Sequence, residues 1–317
     1  MPRLSHTLDL DALEREDVTG SLDEVHRVLR DARFDDEGHL LIPDEAEQER
    51  LERRAEELGV IDPEQTRERR KREADLPDVE HSLRLLSGEH LTPGAHYLFS
   101  SLGEDGEPDF PDEAEGWVGT DLTVDSWDAE GRCAVDFAMR EDPAVTGFDD
   151  PVTTGTVVHD RAARTLSVHG RMRFPAPMSM VGKNSSLLQV EVSFHVDLPG
   201  WYAALSGEPG AAAPARFEVR HPLVRAVGEA LPSPAPDGRW SVATSLEVRG
   251  RGPARPLVAV AAWAMLRSMR RSEEMSVEQW VAEVERSWAE TARALPALPE
   301  LLEEVAEAMA RARHRLP

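Results

Sequence analysis

In SLLQVEVSFHVD, residues 186–197, Leu188, Val190, Val192, Phe194 and Val196 alternate with Gln189, Glu191, Ser193, His195 and Asp197. Successive side chains of an extended strand point to opposite faces of a sheet, so this run dictates a strand with one apolar and one polar face. The same period of two recurs at Val118–Val124, Cys133–Met139 and Trp240–Arg249, and Thr154–His159 and Thr165–Phe174 read as two further strands. Between these runs, DSWDAEGR and HDRAAR read as tight turns. Two-faced strands joined by short turns predict an antiparallel sheet of about six to eight strands spanning residues 81–250. The loop SGEPGAAAPAR interrupts the series, and a short helix is expected near Pro222–Leu231.

Residues flanking this region read as helical. Residues 1–80 hold 25 acidic and 13 basic residues, a net of −12 out of −24 for the whole chain. Within them Asp44 and Glu47 form a capping box, followed by the stripe Leu51, Ala55 and Leu58 before Gly59. A second helix is expected from Asp62-Pro63, but EQTRERRKREAD has no apolar face and reads as a solvated helix or linker. Residues 251–317 read as C-terminal helices packing on the sheet. Pro256–Leu266, PLVAVAAWAML, lacks any charged side chain and reads as a core helix. Its length as a helix, roughly 16 Å, is too short for a bilayer core of ~30 Å. Val277, Val281, Val284 and Trp288 form the stripe of a further helix, and ELLEEVAEAMARARHR places acids first and arginines last.

The expected fold is therefore α+β, in three regions: 1–80 helical and charged, 81–250 an antiparallel β-rich domain, and 251–317 helical. A sheet followed by an apolar helix resembles helix-grip folds in topology alone.

Composition narrows the function. With 60 acidic against 36 basic residues, the surface repels phosphate backbones and anionic lipid, which argues against nucleic-acid binding and membrane insertion. One cysteine, Cys133, permits neither an internal disulfide nor a cysteine-based zinc site, and suits a reducing cytosol. The N-terminus MPRLSHTLDLDALERED is charged where a signal peptide needs an apolar core. Arginine in great excess over lysine, with frequent alanine and proline, is the composition of a GC-rich bacterial genome, so a bacterial cytoplasmic protein is expected.

Candidate chemistry is sparse. Parity places His169, Arg171 and Arg173 on the polar side of one strand, and Glu191, Ser193 and His195 on that of the next. If the two strands pair, His169, Glu191 and His195 could serve acid–base work or weak metal binding; an ordinary solvated face is the competing reading. His159-Asp160 sits at a hairpin, and His90 and His96 flank a turn. The acidic loop EDGEPDFPDEAE lacks the ligand ladder of a calcium loop. Ser179 and Lys183 are four apart but carry no supporting motif. Trp263 and Met265, with Met178 and Met180, are the candidate lining of an apolar pocket. Neither a metal site nor a cofactor is expected. The preferred function is a non-enzymatic interaction or assembly protein, with a protein partner or self-association. The alternative is a small-molecule-binding protein or enzyme, with a hydrophobic ligand between the sheet and the 256–266 helix.

Overall fold

The computed structural model describes residues 3–64, 67, 81–101, 119–141, 146, 148, 150–174, 188–208, 210, 212–251 and 277–315. The helix expected at 256–266 and most of EQTRERRKREAD lie outside the described residues. Five α-helices are described: α1 (Arg15–Asp31), α2 (Glu45–Glu57), α3 (Leu198–Leu205), α4 (Val277–Ala294) and α5 (Leu298–Arg311). The strands, in chain order, are β1 (Arg3–Leu10), β2 (Arg33–Phe34), β3 (Leu40–Ile42), β4 (His81–Ser87), β5 (His96–Ser101), β6 (Gly119–Trp127) and β7 (Arg132–Arg140). They continue with β8 (Thr153–Asp160), β9 (Thr165–Arg173), β10 (Gln189–Asp197), β11 (Ala215–Arg220), β12 (Val224–Pro234), β13 (Trp240–Gly250) and β14 (His314–Arg315).

The fold is α+β with a mainly antiparallel architecture, but the sheet is larger than the six to eight strands expected. Among the described residues eleven strands follow the order β1-β13-β12-β11-β10-β9-β8-β7-β6-β5-β4, and three short ones form β14-β3-β2. Two strands account for part of the difference. The expected helix near Pro222–Leu231 is instead β12, held on one side by β11 and on the other by β13. Its helix-forming Ala, Glu, Leu and Arg residues are overridden by backbone pairing with a neighbouring strand on each side. Arg3–Leu10, within the region read as helical, is β1, which pairs residue by residue with Trp240–Glu247 of β13. No helix of the described residues is long and apolar enough to cross a membrane.

The chain divides into two compact units. The first comprises Met1–Ala12, Glu130–Ala138 and Asp142–Ala289. Its core is aromatic: Trp240 of β13 lies 5.8 Å from Trp201 and 6.0 Å from Tyr202, ring centroid to ring centroid, both on α3. Trp288 of α4 closes the cluster at 6.0 Å and donates its indole N–H to the Asp11 carbonyl at 2.8 Å. Leu8, Leu10, Val242 and Val281 are buried around it. α3 starts where Asp197 accepts a hydrogen bond from the Gly200 N–H, with Pro199 in the first turn, where its missing N–H costs nothing.

The second unit comprises Leu13–Ala129, Met139–Glu141 and Glu290–Pro317. Ala95, Tyr97 and Val124 are its buried centre, with Phe34, Leu83, Leu85, Leu122 and Trp127 packed against them. The capping box at α2 forms as expected, Asp44 accepting from the Glu47 N–H at 2.9 Å. α2 then meets α5 through Arg50 and Arg54, which share the Glu304 carboxylate at 2.5 and 3.0 Å. Gly38 has φ +86°, and an added Cβ would stand 2.1 Å from the Leu85 carbonyl oxygen. Only glycine lets the backbone turn and approach β4 this closely.

Candidate functional site

β9 and β10 are hydrogen-bonded neighbours, with His169 opposite Ser193, Arg171 opposite Glu191, and Ser167 opposite His195. The six polar residues singled out by parity therefore share one face, since directly opposed residues in an antiparallel pair project the same way. Glu191 is engaged by Arg171 at 3.3 Å, and the His195 Nδ1 pairs with the Ser167 hydroxyl at 2.8 Å. His169 and His195 are both exposed. Among the described residues no three His, Cys, Asp or Glu side chains converge on a metal-sized space.

The remaining sequence candidates are distributed elsewhere. Trp263, Met265, Met178, Met180, Ser179, Lys183 and the acidic loop at 104–115 lie outside the described residues. Asp160 accepts from the Ala163 N–H at 2.7 Å, a turn-forming role. Cys133 is buried. In the second unit His90 bridges the Tyr97 hydroxyl and the Leu29 carbonyl, at 2.8 and 2.9 Å. A carbonyl only accepts, so Nε2 donates at that contact. His96 meets Asp121 at 2.8 Å, a pair formed between β5 and β6 that spacing along the chain does not reveal.

The candidate residues singled out from the sequence ended at β10, whereas the polar face continues through β11, β12, β13 and β1. There it becomes a lattice of arginines and glutamates. Glu218 of β11 is 7% exposed, and its carboxylate accepts from Arg220 and from Arg225 of β12, each at 2.6 Å. These two guanidinium groups, Arg220 foremost, hold its carboxyl down to about 2 against the opposing effect of burial. Arg249 likewise holds Glu247 below the usual carboxylate range. Arg3, Arg216, Arg225 and Arg249, together with Glu229 and Glu247, line a groove of about 270 Å³. Alternation in ARFEVR and LEVRG carried the signal for this lattice, once each was read as a strand.

The folded carboxyl of Glu218 lies below an unfolded value of about 4.3. Its ion pairs therefore contribute stability in full above that pH, and the contribution is lost as pH falls toward 2. Glu218→Gln is expected to lower the unfolding free energy by about 2–3 kcal/mol at neutral pH. It should also flatten the decline of stability below pH 4.5, as followed by urea denaturation across that range. An unchanged acid limb would refute this role for Glu218.

The opposite face of the first unit is apolar and partly open. By register, Val157, Val168, Phe194 and Phe217 lie side by side across β8, β9, β10 and β11. Of these Val157 is 37%, Phe194 40% and Phe217 39% exposed, and Leu166 and Met172 on the same face are 37% and 38% exposed.

No family model matches the chain, and no curated protein matches it.

Proposed function

We propose that the chain is a non-enzymatic interaction protein of the bacterial cytosol, which assembles with a protein partner or with itself through the apolar face of its antiparallel sheet. The carrying observation is the row of large apolar side chains left open across adjacent strands β8–β11. Contiguous apolar surface of this kind marks interaction sites, because covering it gains roughly 25 cal/mol per Å². A single cysteine, Cys133, which is buried and forms no internal disulfide, accords with a reducing compartment.

The competing reading draws on the same face: a small-molecule-binding protein or enzyme with an apolar pocket between the sheet and residues 256–266. Native mass spectrometry of the chain purified from its own host separates the two. Interaction predicts a homo-oligomer or a stoichiometric second polypeptide, lost in a Phe194→Ser/Phe217→Ser variant that keeps its circular dichroism. A small excess mass that leaves on denaturation would favour the pocket instead. A bare monomer would remove both.

A further inference from the structure

We infer that the arginine-lined polar face of β11, β12, β13 and β1 binds a carboxylate-rich peptide segment. Arg220 stands directly opposite Arg225, and Arg225 directly opposite Arg249, so three like charges occupy one row across three adjacent strands. Neighbouring strands are only about 4.8 Å apart, and like charges in opposed positions destabilise a sheet. Glu218 offsets part of that repulsion under Arg220 and Arg225, and Glu247 offsets part of it beside Arg249. After this pairing the three arginine side chains are still 54%, 40% and 50% exposed. Two more arginines flank the row: Arg216, which reaches Glu229 only at 4.0 Å, and Arg3, which faces Glu247 across β1 and β13.

With Glu218 and Arg220 counted, the face holds five arginines against three glutamates, a local positive excess on a chain of net charge −24. Its occupant must be anionic. Guanidinium forks bind carboxylates through two parallel hydrogen bonds, and the planar fork keeps its charge at every physiological pH. Long polyphosphates are disfavoured, since a duplex or long single strand reaching past the groove meets the acidic remainder of the surface. A short acidic peptide does not. Arg216 and Arg220, four residues apart on one strand, are separated by about 13 Å, which is also the separation of residues i and i+4 in an extended peptide laid along it. This inference uses the face opposite the apolar one and stands independently of the assembly reading.

The test is fluorescence anisotropy of the full chain with a labelled octaglutamate peptide, beside a labelled oligonucleotide of eight nucleotides. Saturable binding of octaglutamate is expected, weakened at least tenfold between 20 and 300 mM salt, on the order expected for several charge contacts. Arg3→Gln/Arg216→Gln should weaken it about fivefold or more, in line with losing two exposed charge-assisted contacts. No buried carboxylate described here depends on either arginine, so this variant should keep its melting temperature. Absence of saturable binding, affinity unchanged in the variant, or tighter binding of the oligonucleotide would each overturn the inference.

Discussion

Replacing Trp240 by alanine is expected to lower the unfolding free energy by about 4 kcal/mol, the range for removing a buried aromatic. Trp240 is 7% exposed and is the shared neighbour of Trp201, Tyr202 and Trp288. Its loss therefore deprives three rings on two helices of their common partner, in addition to leaving a cavity. Trp240 also stands opposite Leu10 of β1, so the end of the β1–β13 ladder loses its apolar cover. Trp240→Phe, which keeps a ring in place, should recover more than half of the loss. Urea denaturation monitored by far-ultraviolet circular dichroism measures both. A Trp240→Ala penalty below about 1 kcal/mol, the level of a surface change, would mean that this cluster is not the core of the first unit.

Gly155→Ala should cost about 2–3 kcal/mol, as overpacking against an immobile neighbour does. Gly155 lies opposite Gly170, and the Phe137 ring covers the pair. A Cβ at Gly155 would stand 2.5 Å from the His169 carbonyl oxygen and 2.7 Å from Phe137 Cζ. One obstacle is backbone held in the β8–β9 ladder, so the added methyl cannot be accommodated by a rotamer change. Gly228 supplies the control. There the three atoms nearest an added Cβ all belong to the ring of Phe217, a side chain 39% exposed rather than backbone. Gly228→Ala should therefore cost less than Gly155→Ala, and the reverse order in denaturant titrations would contradict this account.

Much of the central sheet was legible because two-residue periodicity is a local property. The turns at 128–131 and 161–164 and the strands on either side of them lie where they were expected, as does the Asp44 cap. Other elements were less readable. α1 carries Val18, Leu22, Val25 and Leu29 at helical spacing, but the dense charge around them obscured the stripe. LVRAVGEAL, in and just before β12, contains the helix formers Leu, Arg, Ala and Glu, and Val224, Val227 and Leu231 even suit a helical face.

The candidate site divides the same way. Parity was enough to put His169, Arg171, Glu191 and His195 on a common polar face, given that β9 and β10 pair. It could not say that Glu191 would be taken by Arg171 and His195 by Ser167, because one residue of slip in register would exchange every partner. Nor could it find the arginine row, whose members at 220, 225 and 249 meet only after β11, β12 and β13 are placed side by side.

By itself, then, the sequence determined which segments alternate, where hairpins close, where α2 begins, and that the chain as a whole is strongly acidic. Each follows from interactions within a few residues or from simple composition. Only the tertiary structure decided that Arg3–Leu10 is a strand, that it completes a ladder with residues some 240 positions away, and that scattered arginines form one basic surface. Those outcomes rest on strand order and register, which are set by hydrogen bonding and burial between distant segments and leave no periodic trace in either partner alone.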